Sequence, residues 1–342
     1  MSIIGTVIFV LLSTITLNFL FKKYNILIDQ VNISKHKNFI QNKKTPLSGG
    51  LVIFLVLFYF LPESYKYFTI IMFIIFLSGL LSDLNILHAP LFRIFFQTIV
   101  VIVYLVLFDN FITSIRINFF DNLLNIFIIK LIFSVFCILI LINGTNFMDG
   151  VNTLVVGYFI LVLSNILYLS EINDLKLDHF LVTICILVLF LIYLFNFFGL
   201  MFLGDSGSYL ISFIAGVTMI NFSNNNDLVS PYYIAAILWY PAYENLFSII
   251  RKLIFKKSPS NPDNEHLHQL IYIFLKKNIK KNNFFSNSLT GILICIYNLI
   301  YFNLIFNYFY NTKILVFSIL FNVTLYNITF IFLNKFQKKL IL

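Results

Sequence analysis

Residues 143–152 read NGTNFMDGVN, and the rest of the chain is read outward from them. Asp149 stands between an apolar run at 124–142 and a second from Val151 to Leu169, with Asn143 six residues before it and Asn152 three after. A carboxylate where two membrane-length segments meet is costly to keep in hydrocarbon, so it belongs at the aqueous boundary or in a polar cleft. An ordinary polar hairpin between two helices has the same composition. Two further segments separate these readings. Asp83 in GLLSDLNILHAP and Asp205 in FLGDSGSYL each interrupt long apolar sequence beside small residues, so the pattern recurs three times.

Of the 342 residues, 60% are hydrophobic and 11% charged. A soluble domain carries about 25% charged residues, so this composition specifies an integral membrane protein. The apolar stretches approach helix-spanning length and lack the short alternating pattern of barrel strands, which predicts an all-α, polytopic architecture. Cys137, Cys185 and Cys295 lie inside apolar runs without metal-ligand spacing, so they read as small hydrophobes. The first apolar segment, Ile3 to Leu20, has no basic region before it and is expected to be a retained helix.

Eleven spans are predicted, at 3–20, 47–62, 67–82, 92–108, 124–142, 152–169, 180–197, 207–221, 231–249, 287–309 and 314–334. Threaded from an outside N-terminus, they put 18 of the 23 Lys and Arg on one side, which the positive-inside rule makes cytoplasmic. The same threading leaves loops 21–46, 83–91, 143–151, 198–206 and 250–286 on that side within a single membrane-embedded domain, 1–342. Asp83, Asp149 and Asp205 all fall there, although they took no part in choosing the orientation. The net charge of +9 is explained by basic loops set against anionic lipid. Nucleic acid is excluded as a partner because no soluble domain carries the charge.

Carboxylates converging from separate helices at an aqueous boundary suit a hard divalent cation, and Mg²⁺ in turn suits phosphates. Without a metal, the same acids would mark an ion path in a transporter. The loop KSPSNPDNEHLHQ at 257–269 bears on this choice, because His266 and His268 lie on the face where the acids lie. Histidines at i and i+2 cannot share a helical face, so joint action requires an extended or turned segment.

These segments together resemble the polyprenyl-phosphate N-acetylhexosamine-1-phosphate transferases, the superfamily that also contains phospho-MurNAc-pentapeptide translocase, and within it the bacterial branch that initiates O-antigen or teichoic acid assembly. The resemblance runs from about Asp29 to His268. KHKNFIQNKKTPLSGG looks like the family's basic loop ending in Pro-x-x-Gly-Gly, and SDLNILHAPLFR like its aspartate-pair segment. NGTNFMDGVN resembles Asn-x-x-Asn-x-x-Asp-Gly, FLGDSGS the Gly-Asp-Ser/Thr-Gly-Ser segment, and SPSNPDNEHLHQL the Pro-Asp-x-x-His-x-His loop. Pro241 and Glu244 fall where the family has a Pro and an acid before that loop.

The resemblance implies transfer of a sugar phosphate from a UDP-N-acetylhexosamine to undecaprenyl phosphate, releasing UMP, with Mg²⁺ or Mn²⁺ as cofactor. It implies a multi-pass protein of the bacterial plasma membrane, with membrane lipid and a second copy of the chain in a homodimer as further partners. Carried over by position, Asp205 is the principal metal ligand with Asp149 beside it, and Asp83, Asp149, His266 and His268 are the catalytic candidates. Lys44, Arg93, Asn143, Asn146 and Asn152 are the substrate-binding candidates. Four positions depart from the family. Ser82 replaces the first of two adjacent aspartates, Asn152 and Thr153 stand where bacterial members carry an acid and a Gly, and Gln269 replaces a third histidine. Loss of one carboxylate keeps an inactive family member among the readings, and a transporter or flippase for an anionic solute is the alternative from another class.

Overall fold

A computed structural model describes residues 3–29, 45–87, 89–256, 258, 265–279 and 283–341. The chain is all-α apart from a two-stranded antiparallel pair, β1 (Ile28–Asp29) with β2 (Thr45–Pro46). The helices are α1 (Ile3–Tyr24), α2 (Gly49–Phe60), α3 (Lys66–Asp83), α4 (Pro90–Phe108), α5 (Asn118–Leu124), α6 (Phe127–Met148) and α7 (Leu154–Ile172). They continue as α8 (His179–Phe197), α9 (Gly204–Asn224), α10 (Pro231–Ile237), α11 (Trp239–Ile254), α12 (Leu267–Ile279), α13 (Asn283–Phe306) and α14 (Thr312–Ile341).

Among the described residues, eight helices are long and apolar enough to cross a membrane: α1, α3, α4, α6, α7, α8, α13 and α14. The protein is thus a multi-pass membrane protein, and the eleven lone membrane-length spans expected are corrected to eight helices of that length and composition among the described residues. The segment predicted at 47–62 forms a helix of only 12 residues, α2. The segment at 207–221 belongs to α9, which buries 17 of its 21 residues. Because α9 faces protein instead of lipid, it tolerates Ser206, Ser208, Ser212 and Thr218. Ser208 and Ser212 donate back to the carbonyls of Asp205 and Ser208 at 3.2 and 2.6 Å, which satisfies their hydroxyls inside the bundle.

The segment at 231–249 breaks into α10 and α11 at Leu238. Pro241 has no N–H to give the Ile237 carbonyl one turn earlier, and the Tyr158 hydroxyl donates to that carbonyl instead at 2.7 Å. A boundary also moves. Residues 143–148, expected in a loop, are the last turns of α6, where Asn143 and Thr145 donate to the i−4 carbonyls of Leu139 and Leu141 and so remain compatible with a helix.

Contacts between helix ends define two faces. On one, Gly49 and Gly50 at the start of α2 donate to the carbonyls of Phe202 and Leu203 just before α9, and Asn18 near the end of α1 accepts from Ser48 at 2.6 Å. The end of α14 joins the same face through Phe336 against Phe274 of α12. On the opposite face, Asp178 caps α8 by accepting from Leu181 N–H and from the Tyr65 hydroxyl beside α3. There Arg116 also donates to the carbonyls of Asp227 and Tyr310, tying together the loops before α5, α10 and α14.

Candidate active site

α3 and α9 pack antiparallel along their lengths, and the end of α3 meets the start of α9 on the first face to build the site. Gly204 has φ +76°, a conformation that costs a residue with a Cβ, and a Cβ there would approach the Asp83 carboxylate to 2.7 Å. That turn aims the first amides of α9 at Asp83, whose Oδ1 accepts from Asp205 N–H at 2.8 Å and Oδ2 from Ser206 N–H at 3.0 Å. A carboxylate on a helix N-terminus satisfies otherwise unpaired amides and meets the positive end of the dipole, a contribution of about 1 kcal/mol. Asp83 therefore fixes the helix that carries Asp205.

Asp205 is bonded through one oxygen. Its Oδ2 accepts from Ser82 Oγ at 2.5 Å and from Arg93 Nη1 at 3.0 Å, while Arg93 also donates to Ser82 Oγ at 2.7 Å. The Arg93–Asp205 pair keeps 21% side-chain exposure on each partner, so it lies at an accessible boundary. Arg93 reaches the Tyr209 hydroxyl at 3.4 Å, and Asn146 Nδ2 donates to that hydroxyl at 3.3 Å. In this way Asp83, Ser82, Arg93, Asn146 and Asp205, drawn from α3, α4, α6 and α9, form one connected network.

The histidine segment approaches from the other side of the 143–152 stretch. The His266 ring lies 5.3 Å from Phe147 and 5.6 Å from His268, the two imidazoles being stacked at 12°. His268 Nε2 stands 2.6 Å from where a Cβ on Gly150 would sit, so only glycine after Asp149 allows this approach. The stack exists because the chain turns at His266. The His266 N–H donates to Gln269 Oε1 at 3.2 Å and its carbonyl accepts from Gln269 N–H at 3.0 Å, the reciprocal side-chain half of a capping box for α12. Gln269 thus supplies a helix cap at the position where the resemblance implies a third histidine.

His268 is fully buried, and neither ring nitrogen has a hydrogen-bond partner among the described residues. Burial pushes its imidazole down to about 3, against the opposing pull of Glu244, so it is neutral near pH 7. A buried polar ring without a partner is costly, and a bound acceptor or donor would satisfy it.

Other expected residues have scaffold partners. Asn143 donates to Leu139 O, and Asn152 is buried against α13, its N–H donating to Asn287 Oδ1 at 2.6 Å and its amide to Ser288 Oγ at 3.4 Å. Asp149 ends α6 and lines a narrow cleft of about 10 Å³ together with Asp29, Asn152, Asn196 and Phe202. Lys44 lies outside the described residues. Sequence reasoning missed Tyr209, which bridges Arg93 and Asn146, and Tyr326, which donates to buried Glu244; a tyrosine among 19 in an apolar chain carries no signal of its own.

Among the described residues no three His, Cys, Asp or Glu side chains form a metal cage. A Mg²⁺ ion is commonly held by one or two carboxylates, with waters and substrate phosphates completing the shell. Asp205 Oδ1, outside the Arg93 and Ser82 contacts, fits that kind of donor set.

A family model described as glycosyl transferase family 4 matches residues 65–223. The chain is 34% identical over 77 residues to an undecaprenyl-phosphate alpha-N-acetylglucosaminyl 1-phosphate transferase of Thermotoga maritima, covering 22% of this chain and 24% of that relative. It is 31% identical over 135 residues to a probable undecaprenyl-phosphate N-acetylglucosaminyl 1-phosphate transferase of Bacillus subtilis, covering 39% of this chain and 37% of that relative. The matched stretches span less than two fifths of either relative. The family match contains Ser82, Asp83, Arg93, Asn146, Asp149, Asp205 and Tyr209 and ends before Glu244 and the histidines.

Proposed function

We propose that this chain, whose residues 65–223 match the glycosyl transferase family 4 model, transfers N-acetylhexosamine-1-phosphate, GlcNAc-1-phosphate in the first instance, from a UDP-sugar to undecaprenyl phosphate, releasing UMP. The observation that carries the reading is the single network through Asp205, Ser82, Arg93, Tyr209 and Asn146 on the face where His268 lies buried without a partner among the described residues. The proposed orientation puts this face in the cytoplasm and the N-terminus outside.

The reaction brings two anionic substrates together and builds a diphosphate. A lipid phosphate is ionised at neutral pH, so its oxygen attacks the sugar-linked phosphorus without a strong base, the new P–O bond forming as the bond to UMP breaks. Mg²⁺ would be held by Asp205 and, as the resemblance implies, by Asp149, and would neutralise charge on the diphosphate. Arg93 sits on Asp205 at a partly exposed boundary, where its guanidinium can turn from carboxylate to phosphate, both of which suit its planar donors. Asn146, beside Arg93 on the Tyr209 hydroxyl, and His268 would supply neutral donors. Asp83 takes no direct step in this scheme; it holds the first turn of α9, and through it Asp205, in place.

The test is UMP release by purified protein given undecaprenyl phosphate and UDP-GlcNAc or other UDP-HexNAc donors, with and without EDTA. Asp205→Asn keeps the side-chain shape and removes the charge, so turnover should fall by about 10²-fold or more. Undiminished UMP release by that variant, or full activity in EDTA, removes Asp205 from the mechanism.

A further inference from the structure

Glu244 is a carboxylate with 1% exposure in the middle of α11, and each of its oxygens has a donor from a different part of the chain. Oε1 accepts from His266 Nδ1–H at 2.8 Å, and Oε2 accepts from the Tyr326 hydroxyl of α14 at 2.9 Å. An unpaired carboxylate at that depth would be strongly unfavourable, so this pairing is required and not incidental. The Tyr326 ring is itself clamped by aromatic groups of α11, with Tyr243 at 4.9 Å and Phe247 at 5.1 Å, so its hydroxyl has little freedom to point elsewhere.

A carboxylate on one ring nitrogen decides the state of the other. With Nδ1–H donating to Glu244, a neutral His266 carries its lone pair on Nε2, and its ring plane is set by the Glu244 bond and by the stack between Phe147 and His268. We infer that Glu244 and Tyr326 are positioning residues for His266, forming a Tyr326–Glu244–His266 relay that fixes the tautomer and ring orientation of His266 and, through the stacked pair, the placement of His268. Neither residue touches the Asp205 network. Tyr326 and Glu244 both lie beyond the matched segment 65–223, so the relay does not follow from the family match. It rests on the proposed transferase reading for its consequence and on geometry for its existence.

Two measurements test it separately. In protein labelled with ¹⁵N-histidine, His266, assigned among the five histidines by the signal lost in His266→Ala, should show a protonated Nδ1. An unprotonated Nδ1 overturns the relay whether or not the protein is active. In the UMP-release assay, Glu244→Gln should lower kcat by about tenfold or more and Tyr326→Phe by about threefold, and both losses should vanish in a His266→Ala background. Equal losses in both backgrounds would mean that the two residues only support the fold, and would overturn the inference. A wild type that releases no UMP defeats the transferase reading, while the nitrogen spectrum still decides the relay.

Discussion

Ser82 is one of the residues at which this chain departs from the pattern of the family it resembles, and its contacts explain how the departure is accommodated. The hydroxyl donates to Asp205 and accepts from Arg93, so one serine links the cation and the anion that two carboxylates would otherwise share. If the missing carboxylate were an obligatory base, the wild type would be nearly inactive and Ser82→Asp would restore transfer by orders of magnitude. If, as proposed, a lipid phosphate attacks already ionised, the predicted result is an active wild type that Ser82→Asp changes by less than about tenfold, or about 1.4 kcal/mol in barrier. Asp83→Asn in the same assay should be impaired, because its amide would set a donor against an α9 N–H now accepted by a carboxylate oxygen. A dead wild type rescued by the new aspartate would overturn this account, and three equally dead proteins would favour an inactive scaffold. The acids of this site were legible as residue types at recurring positions. Their partners were not, because Ser82 and Asp205 stand 123 residues apart and no local pattern announces their bond.

At the scale of the element, α7 begins under strain. Thr153 occupies φ +69°, where a β-branched residue is disfavoured. Its N–H donates to Asn196 Oδ1 at 2.5 Å and its hydroxyl reaches Ser288 O at 3.1 Å, contacts that hold the position against a cost of about 1–3 kcal/mol. Thr153→Gly loses the hydroxyl but relieves the backbone, whereas Thr153→Val loses the hydroxyl and keeps the strain. Thermal unfolding in detergent should therefore rank glycine above valine, with the valine variant less stable by about 1 kcal/mol or more; a valine variant as stable as the glycine one would contradict the reading. Element boundaries were the least legible part of the fold. The helix break at Leu238 needs Tyr158, distant in sequence, to cap Ile237, and α9 is protected from lipid by neighbours that no hydropathy window contains.

Across the whole molecule, charge sorts by face. Lys22, Lys23, Arg93, Arg251, Lys252, Lys276 and Lys277 lie at helix ends on the site's side, and Lys66, Arg116, Lys130, Lys176 and Lys313 lie toward the other. The all-α membrane architecture and this asymmetry were legible because they are properties of composition and loop charge. The number of membrane-length helices was not, since α2, α9 and the broken α10–α11 pair lie in apolar sequence without meeting the length and composition of a lone span. Single cysteines at Lys277 and Asn225, in a chain without Cys137, Cys185 and Cys295, test the proposed orientation. An impermeant reagent should label position 225 in intact cells and position 277 only after permeabilisation, and labelling of both from outside would reject it.

The central claim is that phosphorus travels with the sugar. The most direct measurement gives the purified protein UDP-GlcNAc carrying ³²P at the β-phosphate together with undecaprenyl phosphate, and follows the label between lipid and aqueous phases. Transfer of the sugar phosphate predicts that the label enters the lipid phase in step with UMP release; label that stays in the aqueous phase as UDP while the sugar enters the lipid, or that never leaves the donor, would contradict it.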